Sequence, residues 1–226
     1  MKLSIILPIL NEEAGIKKTI QTTLSKTEAF CTSIEILAID DGSTDTTPTI
    51  LKQLKKKDSR IKIITHPMNL GYGAALRSGI QHAAYDWIFF IDADMQFDIA
   101  ELETFFEKTK THDFIVGYRK KRADPKRRIL VSGMYNRIIR LLFGLKIRDV
   151  DCAFKLMRKI SARNIDFQSN SFFVSVEFMV RAYKAQYRIT EIGVTHFPRK
   201  QGKSTVTPKQ IFRSVADLLK LHHSLI

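Results

Sequence analysis

The chain has 226 residues, of which 44% are hydrophobic, so it can bury a core as one domain or as one domain with an appendage. No stretch reaches the roughly 18 consecutive apolar residues of a membrane-spanning helix, and no cleavage-like site follows the first apolar stretch, so we expect neither membrane spanning nor export. The two cysteines are far apart, which argues against a zinc site and against a disulfide framework. We therefore expect Cys31 and Cys152 to be reduced, and the formal net charge of +14 indicates an anionic partner.

Short apolar segments alternate with amphipathic segments through the first half of the chain. The predicted strands are residues 3–7, 34–39, 61–65, 87–91 and 114–116. The helical patterns between them cover residues 14–24, 47–56, 74–84 and 99–109. This alternation predicts right-handed crossovers and an α/β fold, with a mostly parallel sheet flanked by helices.

Polar clusters follow the first, second and fourth predicted strands. They are residues 8–12, 40–43 and 92–96. Because ligands bind beyond the carboxyl ends of the strands in such sheets, we expect the three clusters to meet at one crevice. In the second cluster, Asp40 can accept hydrogen bonds from a base or a ribose, although the acid pair and the glycine after it are also typical of a turn alone.

Residues 69–79, NLGYGAALRSG, resemble a phosphate-binding loop only in part. The segment lacks the third glycine of the GxGxxG dinucleotide pattern. A tight, glycine-rich start to a helix is still typical of a site near a phosphate or of a closely packed loop.

Asp92 and Asp94 end the apolar run WIFFIDADMQ, with one residue between them. Alternate side chains of an extended segment point to the same side, so the two carboxylates can converge. Two carboxylates suit Mg²⁺ or Mn²⁺, which complete their coordination with water and substrate phosphates. The alternative is that the pair caps the helix predicted to follow.

Basic residues are concentrated in one band, residues 119–163, which has 15 basic and 3 acidic side chains. Such a band indicates nucleic acid, an acidic membrane surface or a phosphorylated substrate as the partner, although a solvated face is also possible. Within the band, residues 129–145 mix apolar side chains with arginine. This pattern fits a helix at a membrane interface, or an ordinary helix packed on the sheet.

The C-terminal segment from Pro208 also has helical spacing, with proline at the first helical position. A helix here could lie on a membrane, pair with another subunit or dock on the domain.

Six segments taken together resemble the successive motifs of the family 2 glycosyltransferases with the GT-A fold. In chain order they are LPILNEE, IDDGSTD, NLGYGAALRSG, DADMQ, GYR and DVDCAFK. Within that family, the chain is most similar to dolichyl-phosphate mannosyltransferase and the bacterial polyprenyl-phosphate sugar transferases. The resemblance implies a catalytic domain over residues 1–205 and a C-terminal amphipathic helix over residues 206–226.

The resemblance also implies roles for particular residues. It implies nucleotide binding by Pro8, Glu12, Asp40, Asp41, Gln96 and Arg199, and Mg²⁺ or Mn²⁺ binding by Asp92 and Asp94. It implies that Asp94, Arg119 and Arg128 are catalytic and that the acceptor phosphate is held by Arg119, Arg128 and Ser132. A glutamate, Glu177, stands where family members have one on a helix, with no role that the sequence defines. The chain departs from the family pattern at Leu10, Lys155 and Thr205.

The reaction implied by the resemblance is inverting transfer of a hexose from GDP-mannose or UDP-glucose to a polyprenyl or dolichyl phosphate. An ionised lipid phosphate needs no base to attack, and arginines would hold it in line. The expected partners are the nucleotide sugar, the lipid phosphate and an anionic membrane surface, but not nucleic acid; the resemblance also allows a transmembrane partner. The expected location is peripheral, on the cytoplasmic face of a membrane.

Two other functions are consistent with parts of the sequence. A family 2 enzyme could instead use a hydroxyl acceptor, with Asp149 or Asp151 as the base. A non-enzymatic binder of nucleic acid or of a membrane surface would use the basic band, but it would leave the strand-end carboxylates without a function.

Overall fold

The computed structural model describes residues 1–198 and 208–225, and these residues form a seven-stranded sheet with helices on both faces. The strands are β1 (Lys2–Ile9), β2 (Ser33–Asp40), β3 (Ile61–Thr65), β4 (Trp87–Phe90), β5 (Phe114–Arg119), β6 (Lys155–Arg158) and β7 (Ile189–Val194). The α-helices are α1 (Ile16–Thr27), α2 (Thr47–Lys57), α3 (Tyr72–His82), α4 (Lys126–Phe143), α5 (Lys159–Arg163), α6 (Val174–Lys184) and α7 (Pro208–Ser224).

The strand order is β3-β2-β1-β4-β6-β5-β7. The pairs β1–β2, β2–β3, β1–β4 and β5–β7 are parallel, whereas β6 runs antiparallel to both of its neighbours. The mostly parallel sheet and all five predicted strands are confirmed. The last two strands of the chain, β6 and β7, were not predicted.

The period-two pattern of the central strands explains why both faces of the sheet are covered. In β1, Ile6 packs on the face that also holds Leu37 of β2, while Ile5 and Leu7 pack on the opposite face. These side chains are fully buried. A strand buried on both faces needs helices above and below it, and the crossovers supply them.

One predicted helix has a different form. The segment Ile99–Lys110 is a 3₁₀ helix, and the carboxylate of Asp98 caps it by accepting a hydrogen bond from the backbone N of Ala100 at 3.0 Å. The cap is therefore Asp98, so Asp92 and Asp94 are not needed for capping.

Helix α4 has two apolar faces. Its buried face contributes Asn136, Ile139 and Phe143 to the interior. Among the residues that the structure describes, no helix is both long enough and apolar enough to cross a membrane.

Candidate active site

The three polar clusters meet at the carboxyl edge of the sheet, as the sequence predicts. The backbone N of Asn11 donates to Ser43 Oγ at 3.0 Å, which joins the first cluster to the second. On α1, Thr19 Oγ1 donates to the carbonyl of Ala93 at 2.8 Å, which fixes the third cluster beside the first. Between α1 and the third cluster lies a cavity of about 250 Å³, whose lining includes Glu12 and Asp94.

The turns at this edge are strained. Asn11 and Met95 have φ angles of 53° and 58°, in the left-handed region that non-glycine residues rarely adopt. Such conformations persist where the surrounding structure holds them, and they are concentrated at functional sites. The conformations of both turns are therefore those expected at a functional site.

Asp40 carries an unsatisfied acceptor. Its side chain is buried, and Oδ1 accepts a hydrogen bond from the backbone N of Ser43 at 3.0 Å. Its Oδ2 atom is also buried, and no donor within the described part of the chain reaches it. Because buried polar atoms almost always have partners, Oδ2 is suited to a donor on a ligand, such as a base N–H or a ribose hydroxyl.

Asp41, by contrast, organises the protein itself. Its carboxylate lies 2.7 Å from Nδ1 of His66 and accepts hydrogen bonds from the backbone N atoms of Leu70 and Gly71, each at 2.9 Å. The side chain is 5% exposed. Asp41 therefore fixes the turn before α3, and direct contact with a nucleotide stays a prediction.

Asp92 and Asp94 lie close enough to influence each other. Burial, together with the nearby charge of Asp94, raises the pKa of Asp92 to about 6. The hydroxyl of Tyr72 donates to Asp92 Oδ1 at 2.6 Å, and Asp94 Oδ1 accepts from the backbone N of Gln96 at 3.2 Å. A cation between the two carboxylates would relieve their repulsion.

The donor set fits a divalent ion that also binds phosphate. Within residues 1–198 and 208–225, no group of three or more His, Cys, Asp or Glu side chains could hold a metal. Mg²⁺ and Mn²⁺ do not need such a group, since one or two carboxylates with phosphate oxygens and water complete an octahedron. Asp92 and Asp94 are therefore the residues that would hold the ion.

Gln96 links the turn after β4 to the end of the first described segment. Its Nε2 donates to the carbonyl of Phe197 at 3.0 Å, and its own carbonyl accepts from the backbone N of Phe197 at 2.8 Å. The predicted nucleotide ligand Arg199 lies outside the described residues. Pro8 and Glu12 lie at the end of β1 and just beyond it, at the same edge.

Arg119 forms a buried, bidentate pair with Asp149. Its Nε and Nη2 atoms lie 2.6 Å from Oδ2 and Oδ1 of Asp149, and the two side chains are 9% and 10% exposed. Burial alone would raise the pKa of Asp149, but the hydrogen bonds and charge of Arg119 hold it below its ordinary value. Nη1 is the guanidinium nitrogen that this pair does not use.

A second cluster of arginines surrounds Asp124, just before α4. Asp124 Oδ2 accepts from Arg122 Nε at 2.9 Å, and its Oδ1 lies 3.2 Å from Arg128 Nη1. Arg122 also donates to Ser132 Oγ at 2.5 Å. The predicted residues Arg128 and Ser132 are thus linked through Asp124 and Arg122. The sequence analysis missed Arg122, although it lies two residues from Asp124 in a basic run.

Lys155 is a second residue that the sequence reasoning did not place in the site. Its ammonium group is buried and donates to the carbonyl of Cys152. Burial lowers the pKa of Lys155, while the charges of Asp151, Asp149 and Asp92 oppose that shift. The buried cation therefore lies near three carboxylates of the crevice.

Glu177 has a definite structural role. Its carboxylate accepts hydrogen bonds from the backbone N atoms of Gln168 and Ser169, at 3.1 Å and 2.8 Å, and from Arg181 Nε at 2.9 Å. Glu177 therefore fixes the segment of residues 168–173, which lies against the turn before α3.

Comparison with solved structures identifies the fold class. Glucosyl-3-phosphoglycerate synthase from Mycobacterium tuberculosis, in complex with phosphoglyceric acid, aligns with a TM-score of 0.78 and 17% identity over 98% of this chain and 80% of that chain. The same enzyme with Mn²⁺, UDP-glucose and phosphoglyceric acid aligns with a TM-score of 0.76 and 16% identity over the same shares. The fold is that of the GT-A glycosyltransferases, as the sequence resemblance implies.

Residues 4–166 match the model of glycosyl transferase family 2, and the chain belongs to that family. Among curated proteins, glycosyltransferase AglD of Haloferax volcanii is 30% identical over 90% of this chain. Dodecaprenyl-phosphate galacturonate synthase of Rhizobium johnstonii is 27% identical over 98% of it, and undecaprenyl-phosphate 4-deoxy-4-formamido-L-arabinose transferase of Salmonella choleraesuis is 29% identical over 96%. The chain spans 34% of the length of AglD and 66% of the length of each of the other two.

Proposed function

We propose that this protein transfers a sugar from a nucleoside diphosphate to a polyprenyl phosphate, with inversion at the anomeric carbon and with Mg²⁺ or Mn²⁺ bound at Asp92 and Asp94. The observation that carries the proposal is the proximity of Arg119, oriented by Asp149, to the carboxylate pair at one edge of the sheet. The charge of Arg119 is close enough to Asp92 to lower its pKa against the effect of burial. One crevice thus offers a site for a metal-bound diphosphate and a site for a second phosphate.

On the donor side, Asp40 offers a buried, unsatisfied oxygen to the base or the ribose. Asp92 and Asp94 hold the divalent ion, which when bound stabilises the negative charge that develops on the departing diphosphate. The hydrogen bond from Gln96 to Phe197 joins the turn that carries the carboxylate pair to the segment that follows β7. GDP-mannose and UDP-glucose are the donors to test first.

On the acceptor side, the two relatives that are similar over nearly the whole chain carry polyprenyl phosphates in their names. A phosphate is ionised near neutral pH, so it can attack without transferring a proton to the protein. The task of the protein is then alignment and charge neutralisation. Arg119 can offer Nη1 to the phosphate while Asp149 fixes the orientation of its guanidinium group. Arg122 lies just before α4, and Arg128 and Ser132 lie in its first two turns, where they can bind further phosphate oxygens.

Helix α4 carries the features of a membrane-surface helix. Five apolar side chains lie within an arc of about 100° opposite its buried face. They are Leu130, Val131, Met134, Ile138 and Leu141, with exposures of 67%, 46%, 60%, 42% and 77%. The exposed residues Arg127, Arg137 and Arg140 accompany this stripe. An apolar stripe with adjacent arginines fits an anionic bilayer surface, where a polyprenyl phosphate would also be found.

The second candidate is transfer to a hydroxyl acceptor. It rests on Asp151, which is exposed at the crevice and could act as a base. Asp149, the other candidate base, is occupied by its pair with Arg119. Membership of glycosyl transferase family 2 gives no support to a non-enzymatic binder. A transmembrane partner and a location on the cytoplasmic face of a membrane stay predictions.

The test is mass-spectrometric detection of a glycosylated lipid phosphate. Purified protein is incubated with undecaprenyl phosphate, Mn²⁺ or Mg²⁺, and UDP-glucose, GDP-mannose or UDP-galacturonate in separate reactions. We expect a product with one donor and its loss in Asp94→Ala. Absence of product with every donor, combined with sugar transfer to a saccharide that Asp151→Asn abolishes, would replace the proposal by the hydroxyl-acceptor reaction.

A further inference from the structure

Tyr72, the first residue of α3, makes a contact that neither the sequence motifs nor the proposed reaction accounts for. Its hydroxyl donates to Asp92 Oδ1 at 2.6 Å. Its ring packs edge-on against Phe90 at a centroid distance of 5.5 Å and lies tilted on Phe172 at 5.0 Å. The position of the hydroxyl is therefore set by the packing of the ring.

We propose that Tyr72 is a positioning residue that holds Asp92 in the orientation needed to bind the divalent ion, and that Asp41 and Glu177 keep Tyr72 in place. This inference rests on the proposed metal site. It gives a role to three residues outside the metal-binding pair, and it explains why the NLGYG segment lies next to that pair.

Asp41 fixes the turn from one side. Its carboxylate accepts from the backbone N atoms of Leu70 and Gly71, so the 69–70 and 70–71 peptide groups cannot rotate without losing a hydrogen bond. Gly71 has a φ of 99°, a conformation that residues with a Cβ rarely adopt. The backbone therefore reaches Tyr72 in one defined direction.

The segment of residues 168–173 fixes the turn from the other side. The backbone N of Gly73 donates to the carbonyl of Asn170 at 3.0 Å. A Cβ atom on Gly71 or Gly73 would collide with the carbonyl of Asn170 or of Ser169, so the two backbones are in direct contact. The same segment carries Phe172, on which the ring of Tyr72 lies, and it is held by Glu177 through the backbone of Gln168 and Ser169.

The need for such support follows from the chemistry of the pair. Asp92 and Asp94 repel each other, so without a restraint Asp92 would turn away from Asp94 whenever no cation separates them. The hydrogen bond from Tyr72 occupies Oδ1 and leaves Oδ2 for the ion. Groups that hydrogen-bond to a metal ligand typically contribute 10- to 100-fold to metal affinity or activity.

The main test is Tyr72→Phe, which removes the hydroxyl and keeps the ring on Phe90 and Phe172. Mn²⁺ binding is measured by electron paramagnetic resonance of the free ion, with UDP and, in separate samples, with GDP. We expect the Kd for Mn²⁺ to rise about tenfold or more. Tyr187→Phe is the matched control, because its ring packs on Phe114 away from the crevice, and it should bind Mn²⁺ as the wild type does.

Two further variants separate the possible outcomes. Asp94→Ala should lose Mn²⁺ binding; if it does not, the proposed metal site itself is wrong. If Asp94→Ala loses binding while Tyr72→Phe binds as tightly as Tyr187→Phe, the metal site stands and the role of Tyr72 is refuted. Glu177→Gln should weaken Mn²⁺ binding to a smaller extent than Tyr72→Phe. If Glu177→Gln has a lower melting temperature but unchanged Mn²⁺ affinity, the proposal that Glu177 helps to keep Tyr72 in place is refuted.

Discussion

Replacement of Asp149 by asparagine tests how much the buried ion pair with Arg119 contributes to the free energy of unfolding. The two hydrogen bonds between these side chains are 2.6 Å long, and the side chains are 9% and 10% exposed. Removal of one partner of a buried ion pair costs about 3–5 kcal/mol, because the remaining charge is left uncompensated. Since asparagine keeps one acceptor oxygen, we expect a loss near the lower limit, about 3 kcal/mol.

A loss of this size should be visible in a thermal melt. In a chain of about this length, 1 kcal/mol corresponds to about 2–4 °C, so Asp149→Asn should melt about 6–12 °C below the wild type. The measurement is circular dichroism or differential scanning fluorimetry at neutral pH. Asp113→Asn is the control, because Asp113 also binds a guanidinium group through two bonds, but its partners are more exposed: Arg188 is 58% exposed, and Arg158, at 3.6 Å, is 37% exposed. Exposed pairs contribute little, so the control should lose less than half as much. Equal losses in the two variants would refute the argument from burial.

Three other predictions concern the nucleotide site, helix α4 and the pH dependence of the pair between Asp149 and Arg119. Asp40→Asn should weaken UDP or GDP binding about tenfold in calorimetry, because an amide NH₂ replaces the carboxylate oxygen that would accept from the nucleotide. Its melting temperature should change little, because that oxygen has no partner among the described residues. The double variant Leu130→Asp/Leu141→Asp should bind anionic vesicles at least tenfold more weakly in co-sedimentation. The control Ile160→Asp, which changes an apolar side chain that is 60% exposed on α5, should bind as the wild type does. Arg119, against the effect of burial, holds the pKa of Asp149 in the folded protein below its unfolded value of about 3.9. The pair between Asp149 and Arg119 therefore stabilises the fold above about pH 4, and this contribution is lost as the pH falls through the folded pKa. The difference in melting temperature between the wild type and Asp149→Asn should therefore narrow on acidification.

The sequence predicts the first part of the fold well because burial on both faces leaves a clear pattern there. The strands β1, β2 and β4 are short apolar runs that end in polar clusters, so their positions and their shared edge are readable. β6 has only four residues and includes a buried lysine, and β7 is only partly buried along most of its length. Neither strand has the periodic contrast on which such a prediction depends.

The site divides in a similar way. Asp40, Asp92 and Asp94 stand out in the sequence because they lie in polar clusters at or just after the ends of buried strands. The extended spacing predicted for the pair is wrong, because β4 ends at Phe90 and Ala93 and Asp94 lie in a turn, so the approach of Asp92 to Asp94 comes from that turn. Tyr72 and Glu177 act through contacts with segments about 20 and 9 residues away along the chain, and the partner of Tyr72 is known only once the strands are assembled. Supporting residues of this kind have no spacing signature, so the sequence could not identify them.

The acidic residues of the basic band raise the question whether Arg119 would bind a phosphate through net positive charge or through a fixed orientation. Residues 119–163 contain 15 basic and 3 acidic side chains, and the three acids, Asp124, Asp149 and Asp151, all lie at the crevice. If attraction between charges alone held the acceptor phosphate, removal of the Asp149 charge would strengthen acceptor binding. If Asp149 instead orients the Arg119 guanidinium group, the same substitution should weaken binding, although it makes the segment more positive. The bidentate geometry at 2.6 Å favours orientation, because only a fixed guanidinium group can direct Nη1 toward a phosphate in line with the donor.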